Sequence, residues 1–449
     1  MRRTDVSLSD DDLIELLRAD PVGRRDDVSG FLHTLESVEG GFSFLLDAGW
    51  GEGKTVFCHQ VEIALRAANP ILVVETNKLP EDLGIEEGSS LRSYLPVYYN
   101  AWENDYWEDP LPSIGATIAA AGQTELHAQT DMGAGDAVKA SLGAVLELTH
   151  LGFIANAAKE MRAKDLIERY RDRNLLRHRV DELIESSLRE HANKMLLIID
   201  ELDRCRPDFA LRVLEEVKNL FTSDDLVILC AVNVSQLAKA VEGAYGSGMD
   251  GGGYLERFFD ARVYLSQVAK ESYFSHGIGG APSDWFNIMA TKAVAQLKPS
   301  LRVLGKVLAE LKEKHDEILR FSDCWDRGLL SFAAVCLAPQ LIILKNVRFG
   351  EFERVKDGVD AEPIVSLVLS CEESSRCFEV LLGDILDKND IPGAEGGSTS
   401  DDTKKTIVER LVGYMFSAND SVWPQRDILD GATSSGSRQW RQLGRLVSS

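Results

Sequence analysis

The chain has 449 residues, more than one hydrophobic core usually supports, so a main domain with one or more satellites is expected. Its 49 Lys and Arg stand against 72 Asp and Glu, and the net charge of -23 excludes general affinity for nucleic-acid backbones or anionic lipid unless basic groups are locally concentrated. The seven cysteines, at 58, 205, 230, 324, 336, 371 and 377, lack the paired spacing of a zinc site or a disulfide framework and read as reduced core thiols of a cytoplasmic protein.

The N-terminus, MRRTDVSLSDDDLIELL, carries acids where a signal peptide needs an unbroken apolar stretch, so no secretion signal is expected. Ser9 before DDLIELL predicts a helix N-cap with acids in the first turn, in a short extension over residues 1–22. GFSFLLDA (41–48) predicts a strand, GWGEG a glycine turn and KTVFCHQVEIALRAA a helix. ILVVET (71–76) and LPVYYN (95–100) predict two further strands. Residues 108–192 read as a helical insertion broken at DMGAGD (131–136). Its apolar runs, Pro110 to Thr124 and Leu148 to Ala158, are shorter than the roughly 18 to 20 residues that span a bilayer, so they predict buried helices and no membrane association.

KMLLIID (194–200) and LVILCAVN (226–233) predict buried strands on either side of the amphipathic helix RPDFALRVLEEVKNLF (206–221). GAYGSGMDGGGY (243–254) predicts a mobile loop leading into the helix-to-strand segment LERFFDARVYL. Strands alternating with helices predict a parallel sheet covered on both faces, making 23–268 one α/β domain. Past Ala269 helices dominate: a helical lid over 269–385, then a partly disordered tail over 386–449, with linker composition at 387–405 and 431–437.

The strongest chemical signal runs from Ala48 to Thr55, AGWGEGKT, followed by Val56 in the first helical turn. The pattern G-x-x-x-x-G-K-[ST] between strand and helix lets backbone N–H groups surround phosphates, the lysine meet β- and γ-oxygens, and the hydroxyl bind Mg2+. Ala48 departs from the usual glycine, while Gly49, Gly51 and Gly53 keep the loop permissive around Trp50 and Glu52. A glycine turn that merely caps a helix is the plain alternative. In LLIIDELD (196–203) a strand ends in an acid pair, which predicts Asp200 holding magnesium through water and Glu201 orienting and deprotonating the attacking water. An acid pair can also be only a strand end, but downstream of a phosphate loop the two motifs support each other.

Several weaker signals accompany these. Asn233, ending the strand after the acid motif, stands where a sensor residue would meet the γ-phosphate or the attacking water, although Asn there is also an ordinary turn residue. Arg257 in YLERFF is a candidate arginine finger for a neighbouring subunit, and Arg302 in PSLRVLGKVL a candidate sensor from the helical lid; either can equally be a surface ion-pair residue. NKLP (77–80) has proline where a guanine-reading motif needs aspartate, so GTP is not indicated. The basic run RYRDRNLLRHR (169–179) is surrounded by acids and reads as a solvated helical face, so nucleic acid is not favoured as a partner. The histidines show no metal-ligand spacing, and Trp102 and Trp107 read as packing residues.

AGWGEGKT, YNAWENDYW (99–107), IIDELDRCRPDFALRVLEEVKNLF (198–221) and YLERFF (254–259) together resemble the KAP family of P-loop NTPases, related to AAA+ and STAND ATPases. The resemblance covers roughly residues 20 to 310, most specifically in the loop tryptophan, the N-x-W tract and the DRCRP run. It implies helical insertions between the nucleotide motifs, membrane-spanning in many members, and here a soluble member. It also implies, for prokaryotic members, frequent placement in anti-phage defence. The family usually has Asp-Asp at the second motif, whereas Asp200-Glu201 is an AAA+-like pairing that favours hydrolysis.

The expected fold is therefore a three-layer α/β P-loop NTPase domain of additional-strand type, with the acid-motif strand beside the loop strand, a helical insertion, and a C-terminal helical lid and tail. The expected cofactors are ATP and Mg2+, and the expected partner is a second copy of the chain or an effector protein. A nucleotide-gated scaffold that assembles with little hydrolysis is the rival from another class.

Overall fold

A computed structural model of the chain describes residues 9–72, 79–127, 163–220, 223–246, 248–268, 270–278, 284–321, 328–388, 399–416 and 437–449. They fall into two compact units, Met1–Val268 and Ala269–Ser449.

In the first unit, β1 (Phe42–Asp47), β2 (Tyr94–Asn100), β3 (Lys194–Asp200), β4 (Leu226–Val232) and β5 (Ala261–Tyr264) form one sheet in the order β2-β3-β4-β1-β5. Every pairing is parallel, as the strand–helix alternation predicts. The acid strand does not adjoin the loop strand, which corrects that part of the expectation. LVILCAV of β4 is buried at every position, so it takes the centre, hydrogen-bonded to β1 on one edge and β3 on the other. That inserted strand is what defines the additional-strand arrangement. Register then brings the strand ends level: Asp47 lies opposite Val232, Asp200 opposite Ala231, and Asn100 opposite Asp200. In open α/β sheets ligands bind outside these carboxyl ends.

Helices cover both faces. Those carrying the argument are α1 (Asp10–Ala19), α2 (Arg24–Glu36), α3 (Lys54–Ala68), α4 (Leu111–His127), α5 (Ala163–His191), α6 (Pro207–Leu220) and α7 (Val234–Tyr245). Ser9 caps α1 as expected, in a reciprocal box with Asp12. Leu17, Phe31, Phe57 and Val61 of α1 to α3 pack on Phe44, Ile198 and Leu229 of the sheet. On the other face, Ile114 and Ile118 of α4 join Val180 and Ile184 of α5 over Leu197, Ile199 and Ile228. The insertion helices therefore belong to the same fold as the sheet. DMGAGD, the apolar run Leu148 to Ala158 and most of the strand expected over 71–76 lie outside the described residues.

The glycine-rich segment 243–254 is more ordered than its composition suggests. α7 runs to Tyr245, and Gly251–Leu255 forms one helical turn capped by Asp250. A Cβ on Gly251 would lie 2.3 Å from the carbonyl oxygen of Ala238 in α7, so this glycine serves close backbone approach.

The described residues of the second unit are helical around one core. Its helix Gly328–Val347 is long and apolar enough to cross a membrane by composition alone, but 83% of its most apolar window is buried within the protein. A π-helical turn at Ala333–Leu337 precedes Pro339, which stands in the first turn of the following α-helical segment, where its lack of an N–H is tolerated. Residues 401–405, read as linker, are instead the first turn and a half of the helix Asp401–Phe416. Together with Ser437–Ser448 that helix places Ile407, Leu411, Trp440 and Leu443 in the core, so apolar spacing overrides the linker composition around it.

Candidate nucleotide site

The turn from β1 into α3 is built on two left-handed glycines, Gly51 (φ +75°) and Gly53 (φ +92°). Ala48 is not in the left-handed region, where the only described non-glycine residues are Asp20, Glu201 and Lys298, so alanine is tolerated at the position where glycine is usual. Its N–H donates to the Val232 carbonyl at 3.2 Å, tying the loop to β4, and the Glu52 N–H closes the turn on the Gly49 carbonyl at 3.3 Å. α3 starts at Lys54, so Thr55 and Val56 open a helix whose first N–H groups face the loop, a ready anion site. Lys54 is only 8% exposed, and its Nζ donates to the carbonyl oxygens of Ala48 (2.8 Å) and Gly49 (3.3 Å). One cation is thus held inside the ring of backbone groups.

The acid pair ends β3. Asp200 is 1% exposed; its Oδ1 accepts the Glu201 N–H at 2.8 Å, and its Oδ2 accepts the Tyr98 hydroxyl at 3.0 Å. Tyr98 comes from the adjacent β2 and packs its ring 4.1 Å from that of His59 on α3. Burial, reinforced by the Asp200 charge, pushes the Tyr98 phenol far above its ordinary value, so it is a permanent donor. Glu201 sits at φ +63°, a left-handed conformation costing roughly 1 kcal/mol for a residue with a side chain. Its Oε1 accepts the Thr55 hydroxyl at 3.3 Å, and its Oε2 is ion-paired with the Arg204 guanidinium. Burial and the neighbouring Asp200 push the Glu201 carboxyl above its ordinary value, and Arg204 offsets part of that.

Residues passed over in the sequence hold these motifs together. Asp203 Oδ2 accepts the Trp50 indole N–H at 2.5 Å and the Asn233 backbone N–H at 3.1 Å, joining the phosphate loop, the acid turn and the end of β4. Asp47 Oδ1 accepts the Val234 N–H at 3.1 Å. Arg206 binds Asp105 through its Nε (2.6 Å) and backbone N–H (3.0 Å), which clamps the tract after β2 onto the turn after β3. Arg24, almost buried at the start of α2, donates to the Glu52 carbonyl at 2.9 Å and the Ser266 carbonyl at 2.8 Å. Asp203 and Arg206 lie in the DRCRP run that carries the family resemblance and Asp105 in the tract after β2, whereas Arg24 stands well before the phosphate loop with no motif to mark it.

Asn233 caps α7: its side-chain oxygen accepts the Gln236 N–H at 3.3 Å and the Ser235 hydroxyl at 2.7 Å. Arg257 is exposed in the turn Glu256–Phe258, near Tyr254. Arg302 is exposed in the first turn of Leu301–Leu319, in the second unit. Trp107 packs against the core beside β2, whereas Trp102 is 48% exposed with the Arg204 guanidinium 5.6 Å from its ring centre, so only Trp107 is a packing residue. In the basic run, Arg177 pairs with the buried Glu216 and Arg179 with Glu182, in keeping with a charge-balanced face.

Among the described residues no three His, Cys, Asp or Glu side chains gather as a metal site. The oxygen donors here are the Thr55 hydroxyl and the Asp200 carboxylate, hard ligands that suit Mg2+ arriving with phosphate oxygens. The family described as KAP family P-loop domain matches residues 29–273, more than half of the chain. No curated protein matches it.

Proposed function

The chain belongs to the KAP family of P-loop NTPases, and from that premise we propose that its nucleotide site binds ATP with Mg2+ and hydrolyses it. The carrying observation is the 3.3 Å hydrogen bond from Thr55 to Glu201, which brings together phosphate loop and acid pair across 146 positions of sequence. Lys54 and the loop N–H groups from Gly49 to Val56 surround the β- and γ-phosphates. Thr55 and Asp200 are the residues that would hold Mg2+, Asp200 through water because both its oxygens already accept hydrogen bonds. When bound, the ion neutralises charge shared between the β- and γ-phosphates.

Glu201 takes a proton from water as the water oxygen bonds to the γ-phosphorus. The bond from that phosphorus to the bridging oxygen breaks, and its electron pair leaves with ADP. Most of the rate comes from fixed charges around the γ-phosphate, to which Arg257 of another copy would add. Hydrolysis would then drive a conformational or assembly change read by a second copy or an effector. The alternative function, a scaffold that assembles on ATP with little turnover, is favoured by one observation: both Glu201 oxygens are engaged.

Steady-state hydrolysis by the chain and its Glu201→Gln variant, with native mass recorded with and without ATP, separates the two. Turnover abolished by the substitution supports the ATPase; assembly without turnover supports the scaffold. We assign the setting to the cytoplasm and to prokaryotic anti-phage defence, supported by the scattered cysteines without paired spacing and by the family resemblance. Deleting the gene should raise phage plating on the native host, and unchanged plating over a broad phage panel would remove that assignment.

A further inference from the structure

The catalytic carboxylate has no free oxygen. Glu201 Oε1 is taken by the Thr55 hydroxyl, the group the reaction needs for Mg2+, and Oε2 faces Arg204 three residues along the same turn. Side-chain exposure is 12% for Glu201 and 25% for Arg204, so the pair is partly shielded from solvent. No hydrogen bond among the described residues reaches the buried Oε2, which leaves charge alone holding it. The same guanidinium lies 5.6 Å from the ring centre of the half-exposed Trp102, on the tract that Arg206 and Asp105 clamp to this turn, so the ring backs the arginine while it pairs with Glu201.

From this juxtaposition we propose that Arg204, seated on Trp102, is a positioning residue that holds Glu201 away from the attacking water, so that full turnover requires the ion pair to part. Nucleotide binding draws Thr55 off Oε1 but leaves Oε2 paired. The base then stays oriented along its own turn, and its lone pair is partly neutralised. An arginine placed to stabilise the γ-phosphate would point at the phosphate loop; Arg204 instead spans the base and an aromatic ring at the rim. Trp102 is itself held in place by Asn100, whose side-chain Oδ1 accepts the Trp102 backbone N–H at 3.1 Å.

The inference rests on the ATPase proposed above, and its test separates the two. Turnover, ADP affinity in EDTA and the pH–rate profile are measured for the full chain and for Arg204→Gln, Arg204→Lys and Arg204→Gln/Glu201→Gln. In the nucleotide-free chain, unfolding is followed for the same set and Glu201→Gln as a double-mutant cycle. Release of the base should raise the turnover of Arg204→Gln roughly 3- to 10-fold, the range expected for losing one partly shielded ion pair. ADP affinity should be unchanged, Arg204→Lys should restore the slower rate, and the added Glu201→Gln should abolish it. The unfolding cycle should be non-additive, and the acid limb of the Arg204→Gln profile should move to higher pH. Turnover equal to or below that of the unsubstituted chain overturns the latch while the ATPase stands. No turnover in any variant, with ADP still bound, overturns both.

Discussion

Replacing Tyr98 by Phe isolates the bond that orients Asp200. The ring keeps its packing against His59, so the change removes only the hydroxyl that donates to Asp200 Oδ2 at 3.0 Å. Hydrogen bonds to a charged group contribute about 1.5 to 3 kcal/mol, and Asp200 at 1% exposure cannot recruit bulk water in exchange. A loss of roughly 2 kcal/mol corresponds to a fall in Tm of about 4 to 8 °C for a unit of this size. The freed oxygen no longer has a fixed direction, so Mg2+ half-saturation of nucleotide binding should weaken about tenfold, while ADP affinity in EDTA should hold. Calorimetric titrations with and without Mg2+, beside thermal unfolding, give both numbers. A variant that keeps both the unfolding temperature and the Mg2+ half-saturation would refute the assignment of Tyr98 as the orienting donor.

Glu201 titrates above the ordinary carboxylate value near 4.3 because burial and Asp200 outweigh Arg204. A base works deprotonated, so kcat should fall as pH drops through that raised value; a limb at or below the ordinary value in a pH–rate profile would contradict it. Gly251→Ala forces a Cβ against the Ala238 carbonyl and should cost about 1 to 3 kcal/mol, read as a lower denaturant midpoint; an unchanged midpoint would mean that the close approach is not needed. In the second unit, Glu310 accepts Lys314 (2.8 Å), Lys345 (2.6 Å) and Asn346 (2.8 Å). Burial alone would raise its carboxyl, but these three bonds overcome it and hold it below the ordinary value. Its stability contribution is present above the unfolded pKa and lost as pH falls through the lower folded one. Glu310→Gln, which leaves two ammonium groups beside a neutral amide, should destabilise by roughly 3 kcal/mol at neutral pH and flatten that acid dependence in urea melts.

Much of this site is readable from sequence because backbone requirements constrain its residue types. Gly51 and Gly53 mark left-handed turns, Lys54 and Thr55 follow at the helix start, and KMLLIID announces a buried strand that must end where Asp200 stands. The strand order is less legible. β1, β3 and β4 are all short apolar runs, and only pairing shows that β4 lies between the other two. Composition also misleads where packing decides. DGGG reads as a flexible loop, yet Gly251 is there because α7 passes too close for a side chain. The C-terminal helices sit beside linker-like tracts, but their apolar spacing, with Leu411, Trp440 and Leu443, belongs to a core. Gly328–Val347 has the composition of a membrane span, and burial among neighbouring helices accounts for its character.

The most family-specific residues are the ones that join motifs across space. A tryptophan in a phosphate loop is unnecessary for phosphate chemistry, since backbone N–H groups and Lys54 suffice. Trp50 makes physical sense through Asp203, which takes its indole N–H and also holds the backbone at the end of β4. The arginines on either side of Cys205 then reach the tract after β2, Arg204 over Trp102 and Arg206 on Asp105. Loop, acid turn and aromatic tract are therefore one bonded unit along the sheet's carboxyl edge. Asp203 therefore ties the position of the loop to the turn that carries Arg204 and the base. The chemistry of the site and the exposed aromatic rim are linked by Asp203, Arg204 and Arg206 of the turn after β3.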